Sequence, residues 1–339
     1  MRFVRAQLVA AVVLMSLAVS AQAAAQRAGA VQADHAAGEA TRSEPASDVE
    51  RAALPTPEQA EVEWDDAWDK VRGWQYPLSV GLLGFGFTAR YAIDDPEPDW
   101  TELVGFEQTL LDLVAVREDP ARENWRMFND LTFFGSIGYR FIDSAALPIF
   151  AHDNSEVAWQ MSWIDAQSFG VVAAVLWGTQ IYVGRLRPTA NHCDDPDRQG
   201  FLCDPNDSDY ARSFIAGHTA TAVAAAGLTC VHHDQMPLYG GGLADKLACG
   251  VMIGNATANA VTRSMVELHY PSDVVMGVAL GLTAGWILPK ALHYGWGNDQ
   301  PDPAETARLP DAEPDDRPIF TASPTVIGER PGMMLMGRF

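Results

Sequence analysis

Six long segments rich in Ala, Gly, Leu and Val are the feature that most constrains how this 339-residue chain can fold. Each is long enough for an α-helix, and none keeps the alternation of apolar and polar residues that is typical of strands. A shorter helix is expected at about 101–117, after the breaker Asp94-Asp95-Pro96. The pattern predicts an all-α fold, a helical bundle of about six core helices. The six segments are about 76–92, 127–149, 157–184, 214–232, 245–262 and 273–293.

These apolar segments raise the question of a membrane. Ala166 to Gly184 is a run of nineteen residues without a charge, which is long enough to span a bilayer. Asn255, Thr257 and Asn259 interrupt the fifth segment, however, and the short loops lack the Lys and Arg bias that orients membrane helices. A soluble bundle with a buried core is slightly preferred, and a membrane-spanning bundle remains the close alternative.

The two ends of the chain differ in composition from the segments between them. Residues 1–23 combine two arginines with a short apolar stretch and end in Ala21-Gln22-Ala23, which predicts a cleaved signal peptide rather than an anchor. Residues 24–62 are expected to form a disordered acidic linker, and residues 297–339 an acidic, proline-rich tail. The exported protein is therefore expected in the periplasm or cell envelope.

The charge balance limits the partners. Forty-four acidic residues against 23 basic residues give a formal net charge of −21. A field of this sign repels the backbone of nucleic acids, so we expect no nucleic-acid partner. The sequence leaves the oligomeric state unknown.

The four cysteines fit an oxidising compartment. Cys193 and Cys203 lie in one loop, and Cys230 and Cys249 flank a second. We expect two local disulfides, Cys193–Cys203 and Cys230–Cys249, with four buried free thiols as the alternative. A bridge between Cys230 and Cys249 would count against a spanning bundle, because that loop would then face the reducing side. The sequence contains no C-x-x-C pair, which argues against a metal site, and we expect no bound metal.

Three short stretches place reactive side chains at the ends of apolar helices. The first is Gly184-Arg185-Leu186-Arg187-Pro188, and the second is Ser213-Phe214-Ile215-Ala216-Gly217-His218-Thr219. The third is Thr262-Arg263, then five residues, His269, three residues and Asp273. Taken alone, each stretch is explained by residues that cap, begin or end a helix. In an antiparallel bundle, however, these helix ends share one face, so the site is expected at one end of the bundle. The converging residues would be Arg187, His218, Arg263, His269 and Asp273.

Together these side chains describe a pocket for a tetrahedral oxyanion. The guanidinium groups of Arg187 and Arg263 match such an anion, and the N-terminus of the fourth segment adds backbone N–H groups. Asp273 beside His269 would hold one imidazole nitrogen and leave the other as a nucleophile. With His218 as a second histidine, the set is what phosphoryl transfer needs.

The three stretches resemble the motifs of the type-2 phosphatidic acid phosphatase and vanadium haloperoxidase superfamily. Its pattern is Lys, six residues, Arg-Pro; then Pro-Ser-Gly-His; then Ser-Arg, five residues, His, three residues, Asp. The resemblance covers about 130–293 and implies a domain of this type at 127–296, after N-terminal helical segments at 63–126. It implies that His269 attacks phosphorus and becomes phosphorylated, and that His218 protonates the leaving group.

The resemblance also implies the other site residues. Asp273 would orient the imidazole of His269. The family hydrolyses phosphate esters without a metal, and its haloperoxidase branch holds vanadate in the same pocket, so no cofactor is expected unless this chain is a haloperoxidase. The phosphate-binding residues would be Arg187, Arg263, Gly217 and the residue at the family's lysine position, Gln180.

Three departures from the family pattern bear on activity. Gln180 stands where the family has Lys, Ile215 and Ala216 where it has Pro and Ser, and Thr262 where it has Ser. Thr keeps the hydroxyl, but Gln removes a charge and Ala removes a donor, and one lost donor of this kind costs about 10²–10³ in rate. Arg185 would be the nearest substitute for the missing charge, but in the family an Arg is common at this position and does not replace the Lys.

The favoured hypothesis is an extracytoplasmic, acid-phosphatase-like hydrolase that acts on a phosphomonoester through a phosphohistidine. The substrate would be a phosphorylated small molecule or a lipid phosphate, and membrane association stays open. The first alternative is an envelope protein that binds phosphate or a lipid headgroup without turnover. The second is a vanadate-dependent haloperoxidase.

Overall fold

The structure, a computed structural model, describes residues 61–101, 105–194 and 201–296 and the backbone of 319–327 and 330–338. The predicted signal peptide lies outside the described residues, and so does the predicted linker except for its last two positions. The second of these, Val62, is buried. The chain divides into two compact units, Met1–Gly295 and Trp296–Phe339.

All the secondary-structure elements in the described part of the first unit are helices, which confirms the predicted all-α class. Its α-helices are α1 (Gln75–Tyr91), α2 (Glu107–Val114), α3 (Asp119–Phe141), α4 (Leu147–His152), α5 (Ser155–Val183), α6 (Gly217–Gln235), α7 (Leu243–Met265) and α8 (Pro271–Leu282). Turns of π-helix follow α3 at Ile142–Ala146 and α8 at Thr283–Ile287 and Lys290–Tyr294, and a 3₁₀ turn lies at Pro188–His192. Apart from the short α2 and α4, the helices correspond to the six predicted core segments. Helix α2 corresponds to the predicted shorter helix.

Helix α6 lies at the centre of the bundle and contacts α3, α5, α7 and α8. Its contact with α8 depends on small residues. A side chain at Gly277 would place its Cβ 2.7 Å from the carbonyl oxygen of Ala216, and one at Gly281 would come within 2.6 Å of that of Ala220. Only glycine allows this approach, so the first turns of α6 and α8 lie side by side. This contact fixes the relative positions of the second and third motifs.

Helix α5 delivers the first motif. The side chain of Asn154 accepts a hydrogen bond from the backbone N–H of Val157 (3.0 Å) and caps its start. Gly184 ends the helix in the left-handed conformation, with φ of +51°. A Cβ at Gly184 would collide with the carbonyl oxygen of Glu97. The chain therefore turns sharply and carries Arg185 and Arg187 across the end of the bundle.

A second buried polar network lies at the far end of α6. His233 contacts Asp245 through Nδ1 (2.6 Å) and Asp143 through Nε2 (3.1 Å), and Arg140 pairs with Asp143 and Asp165. His232 contacts Asp165 (3.1 Å) and the hydroxyl of Tyr294 (2.6 Å). These side chains are buried and mutually paired, so the network joins α3, α5, α6 and α7.

Both expected disulfides are present, between Cys193 and Cys203 and between Cys230 and Cys249. The second joins α6 to α7 thirteen residues beyond the start of α6, about 20 Å along the helix axis from the first motif residues. Disulfides form and persist in oxidising environments.

Two helices in the described residues are long and apolar enough to cross a membrane, Ser155–Val183 and Pro271–Tyr294. Only 33% and 28% of their most apolar windows are buried inside the structure, so about two thirds or more of the residues in these windows are at least partly accessible. Large apolar side chains on other helices are also exposed, among them Phe87 in α1, Phe134 in α3 and Val251 in α7. An outward apolar surface of this extent is typical of proteins that contact membranes or other proteins.

In the second unit, two strands, β1 (Ile319–Ile327) and β2 (Arg330–Arg338), form an antiparallel hairpin in which Ile319 pairs with Arg338 and Ile327 with Arg330. The acidic, proline-rich composition of the tail did not predict these strands. The rest of the tail lies outside the described residues.

Candidate functional site

Two polar contacts hold the buried imidazole of His269, the predicted nucleophile. Its Nδ1 lies 2.6 Å from the carbonyl oxygen of Ser213, which can only accept a hydrogen bond, so Nδ1 carries the proton. Its Nε2 lies 3.1 Å from Nη2 of Arg263, which can only donate, so Nε2 presents its lone pair. These two contacts fix the tautomer of His269, and its unprotonated Nε2 faces the guanidinium of Arg263.

Asp273 supports this arrangement from the first turn of α8, less directly than expected. Its Oδ2 lies 3.9 Å from Nδ1 of His269, which is too far for a hydrogen bond. The same oxygen accepts hydrogen bonds from the hydroxyl of Ser213 (2.6 Å) and the backbone N–H of Tyr270 (3.0 Å). Asp273 therefore holds the residue whose carbonyl orients His269, and adds its negative charge nearby.

Arg185 does not occupy the place of the missing lysine charge. Its guanidinium forms ion pairs with Asp273 and with Glu107 of α2, at 2.6 Å for the latter. The rings of Trp100 and Tyr270 enclose it, with centroids 4.0 and 4.2 Å from Cζ. The side chain is 1% exposed, as expected of a structural arginine whose charge is already paired.

Arg187 and Arg263 supply the positive charge of the pocket. Nε of Arg187 donates to the carbonyl oxygen of Asp209 (2.7 Å), and its Nη2 lies 3.6 Å from the Asp209 carboxylate. Nη1 of Arg263 donates to the side-chain oxygen of Asn129 (3.1 Å), while its Nε has no hydrogen-bond partner within the described residues. Both guanidinium groups are buried.

Burial and neighbouring arginines lower the pKa values of Arg263 and His269, and Asp130 and Asp209 partly offset the positive charge. Burial and the neighbouring Arg187 lower the pKa of Arg263 to about 9. Burial, with the charges of Arg263 and Arg187, holds the pKa of His269 well below its usual value, so this histidine is neutral at neutral pH. Clustered cations that depress one another in this way favour an anionic ligand.

His218 lies in the first turn of α6, where backbone N–H groups are left over at a helix start. Ala216, the residue before the helix, provides no side-chain cap. Gly217 allows close packing, since a Cβ there would lie 2.6 Å from Cδ2 of Leu176. The imidazole of His218 is partly exposed, as a group that exchanges protons with substrate or water must be.

Gln180 is buried beneath the start of α6. Its amide nitrogen donates to the carbonyl oxygen of Ile215 (3.1 Å), and its Oε1 has no hydrogen-bond partner among the described residues. Gln180 therefore supports the segment that leads into Gly217 and His218 but adds no charge.

Three contributors from α3 were missed by the sequence analysis. Asn129 holds Arg263 and also donates to the hydroxyl of Thr262 (2.7 Å). Asp130 places a carboxylate oxygen 3.6 Å from Nε2 of His218, and the ring of Phe133 lies 4.1 Å from that imidazole, centroid to centroid. No motif marks these residues, because they reach the site only through the packing of α3 against α6 and α7.

Fold and site together define a helical bundle with an anion pocket of histidine and arginine at one end. No cluster of three or more His, Cys, Asp or Glu that could hold a metal occurs in the described residues. The family model of the PAP2 superfamily matches residues 166–296. This match confirms the resemblance found in the motifs.

Two curated relatives are similar to slightly less than half of this chain. A lipid A 1-phosphatase of Rhizobium etli is 31% identical over 163 residues, covering 46% of this chain and 58% of the relative. A lipid A 1-phosphatase of Rhizobium johnstonii is 28% identical over 165 residues, covering 46% and 57%. The chain thus matches less than two thirds of the length of these relatives. No solved structure gives a significant match.

Proposed function

We propose that the protein is an extracytoplasmic phosphatase that hydrolyses a phosphomonoester, with lipid phosphates as the substrate class. The observation that carries the proposal is the unprotonated Nε2 of His269, which accepts a hydrogen bond from the buried guanidinium of Arg263 (3.1 Å). A nucleophile beside the group that would bind the anion is the arrangement that phosphoryl transfer requires.

In the proposed reaction, Nε2 of His269 attacks phosphorus while the bond from phosphorus to the ester oxygen breaks. His218 gives its proton to the departing oxygen, and Arg187 and Arg263 stabilise the charge on the remaining phosphoryl oxygens. Water then attacks the phosphohistidine, His218 accepts the proton of that water, and inorganic phosphate leaves. Asp273, through Ser213, keeps the proton of His269 on Nδ1 during both steps.

A lipid substrate is supported by two independent features. The relatives that share the domain are lipid A 1-phosphatases. The long faces of α5 and α8 and the exposed side chains of α1, α3 and α7 present apolar surface outward. We propose that the protein associates with a membrane through this surface on the non-cytoplasmic side, where both disulfides are stable.

The test is hydrolysis of an aryl phosphate and of a lipid phosphate in detergent micelles by the purified exported protein, with orthovanadate as inhibitor. Vanadate-sensitive release of phosphate is expected from the wild type. His269→Ala is expected to remove it, whereas His152→Ala is the matched control. His152 is the last residue of α4, close to the start of α5, and contacts the carbonyl oxygen of Leu238. The candidate site lies beyond the other end of α5. Equal loss in both variants would contradict the assignment.

Gln180 and Ala216 stand where the family has Lys and Ser, so the site lacks a charge and a hydroxyl donor. This favours a second candidate function, binding of phosphate or a lipid headgroup without turnover. In the same experiment, tight binding of phosphate or vanadate with no hydrolysis of either substrate would support it. Halide oxidation that depends on vanadate and peroxide would instead support a haloperoxidase.

A further inference from the structure

Helix α3 lies outside the matched domain, yet it forms one wall of the site. Asp130 and Phe133 are one turn apart on this helix, and both face His218. The carboxylate lies 3.6 Å from Nε2 of the imidazole, and the phenyl ring lies against the imidazole at 4.1 Å, tilted by 34°. Two side chains of α3 thus fix both the position of the ring and the charge beside one of its nitrogens.

Charged groups face His218 from several directions. Arg263 from α7 and Arg187 from the segment after α5 disfavour the imidazolium, as does His269 whenever it is protonated, and Asp130 from α3 favours it. Burial adds to the effect of the arginines and lowers the pKa of His218 to about 4. Contact with His218 in turn lowers the pKa of Asp130, so this carboxylate is ionised wherever the imidazole titrates.

A general acid must hold its proton until the leaving group departs, and a site built to bind an anion works against this. The same arginines that hold a phosphoryl group expel the proton from His218. A nearby carboxylate is the simplest opposing charge, because it stabilises an imidazolium without itself giving up a proton.

We propose that Asp130 is a positioning residue for the proton donor, one that keeps His218 oriented and protonated so that the enzyme can expel poor leaving groups. The inference rests on the proposed phosphatase function and adds a limit on substrates. Asp130 matters for alkyl esters of phosphate, such as those of lipids and sugars, whose leaving oxygen must be protonated. It matters little for aryl esters, whose leaving group departs as the anion.

The test compares Asp130→Asn with Glu123→Gln, which removes the same charge from α3 beside Arg126 and away from His218. At 3.6 Å and partial exposure, loss of the Asp130 charge shifts the pKa of His218 downward by about one unit. The expected result is a roughly tenfold loss of kcat/KM for an alkyl phosphate, with the alkaline limb of its pH profile moved about one unit lower. Hydrolysis of an aryl phosphate by the same sample should change less than about twofold.

The ratio of the two activities cancels any difference in the amount of folded protein. Equal losses for both substrates, or an unmoved pH profile, would overturn the inference while leaving the phosphatase function intact. If the wild type hydrolyses neither substrate, the proposed function fails. The pKa of His218, measured by NMR on histidine-labelled protein with His218→Gln to assign the signal, then decides the electrostatic part. An unchanged pKa in Asp130→Asn would refute it.

Discussion

Arg185 and Arg187 lie in the same motif, but the structure gives them different roles. Replacing each in turn by Gln should separate a role in stability from a role in anion binding. Arg185 is fully buried between the carboxylates of Asp273 and Glu107, with which it forms the ion pairs described above. Arg187 is anchored mainly by backbone carbonyl oxygens, those of Asp209 and Leu268. We expect Arg185→Gln to destabilise the fold and Arg187→Gln to weaken anion binding.

The magnitude for Arg185→Gln follows from the burial of its partners. Both carboxylates are 0% exposed, so removing the guanidinium leaves two buried anions without it. Breaking a buried ion pair from one side typically costs about 3–5 kcal/mol of folding free energy. For a domain of this size that corresponds to a fall in Tm of roughly 10 °C.

The magnitude for Arg187→Gln is set by the anion. Removal of one charged donor from an oxyanion site costs about 10²–10³ in rate. A comparable loss of orthovanadate affinity is expected, with a change in unfolding free energy of about 1 kcal/mol, because the bonds lost are those to backbone carbonyl groups.

Thermal unfolding followed by circular dichroism and titration with orthovanadate measure the two quantities on the same samples. The reasoning is refuted if Arg185→Gln unfolds at the wild-type temperature and loses vanadate affinity as Arg187→Gln does. That result would place Arg185 on the anion, where it would replace the charge that Gln180 lacks.

Three further predictions address the reaction. His269→Ala should abolish turnover, and Asp273→Asn should lower it at least about 10²-fold with the fold retained, as judged by circular dichroism and phosphate release. Gln180→Lys and Ala216→Ser should each raise the rate by about one to two orders of magnitude, because they return a cation and a hydroxyl donor to the pocket; no gain in either would favour the binding protein. Burial lowers the pKa of His218 to about 4, and a general acid works only while protonated, so kcat/KM should fall as pH rises above that value; activity that increases from pH 5 to pH 8 would contradict the role of His218.

The sequence alone predicted the helices and identified the candidate site residues that the fold brings together. Long runs of small and apolar residues can only be helices that pack together, and the predicted segments match α1, α3 and α5–α8 to within a few residues at most of their ends. The motif spacing identified Arg263, His269 and Asp273, because five and three intervening residues suffice to turn from the end of α7 into α8. The disulfide pairs followed from short separations in a chain whose N-terminus predicts export.

Other features could not be read from the sequence, because they depend on which atoms meet. The two arginines of the first motif are equivalent in sequence, and only the packing of α2 and Trp100 around Arg185 shows that it is structural. The sequence also does not show that α6 continues to Gln235 and buries the rings of His232 and His233 among carboxylates.

The orientation of His269 is the clearest case. Sequence spacing assigns that task to Asp273, since an acid four residues after a histidine is within reach of it. In the folded chain, the carbonyl oxygen of Ser213 lies closer, at 2.6 Å against 3.9 Å, because the close packing of α6 on α8 brings that segment against the ring. The contributions of Asn129 and Asp130 likewise exist only after α3 packs against α6 and α7, since more than eighty residues separate them from the groups they contact. Local spacing determines which groups are available, and the distances that give them their roles are set by helix packing.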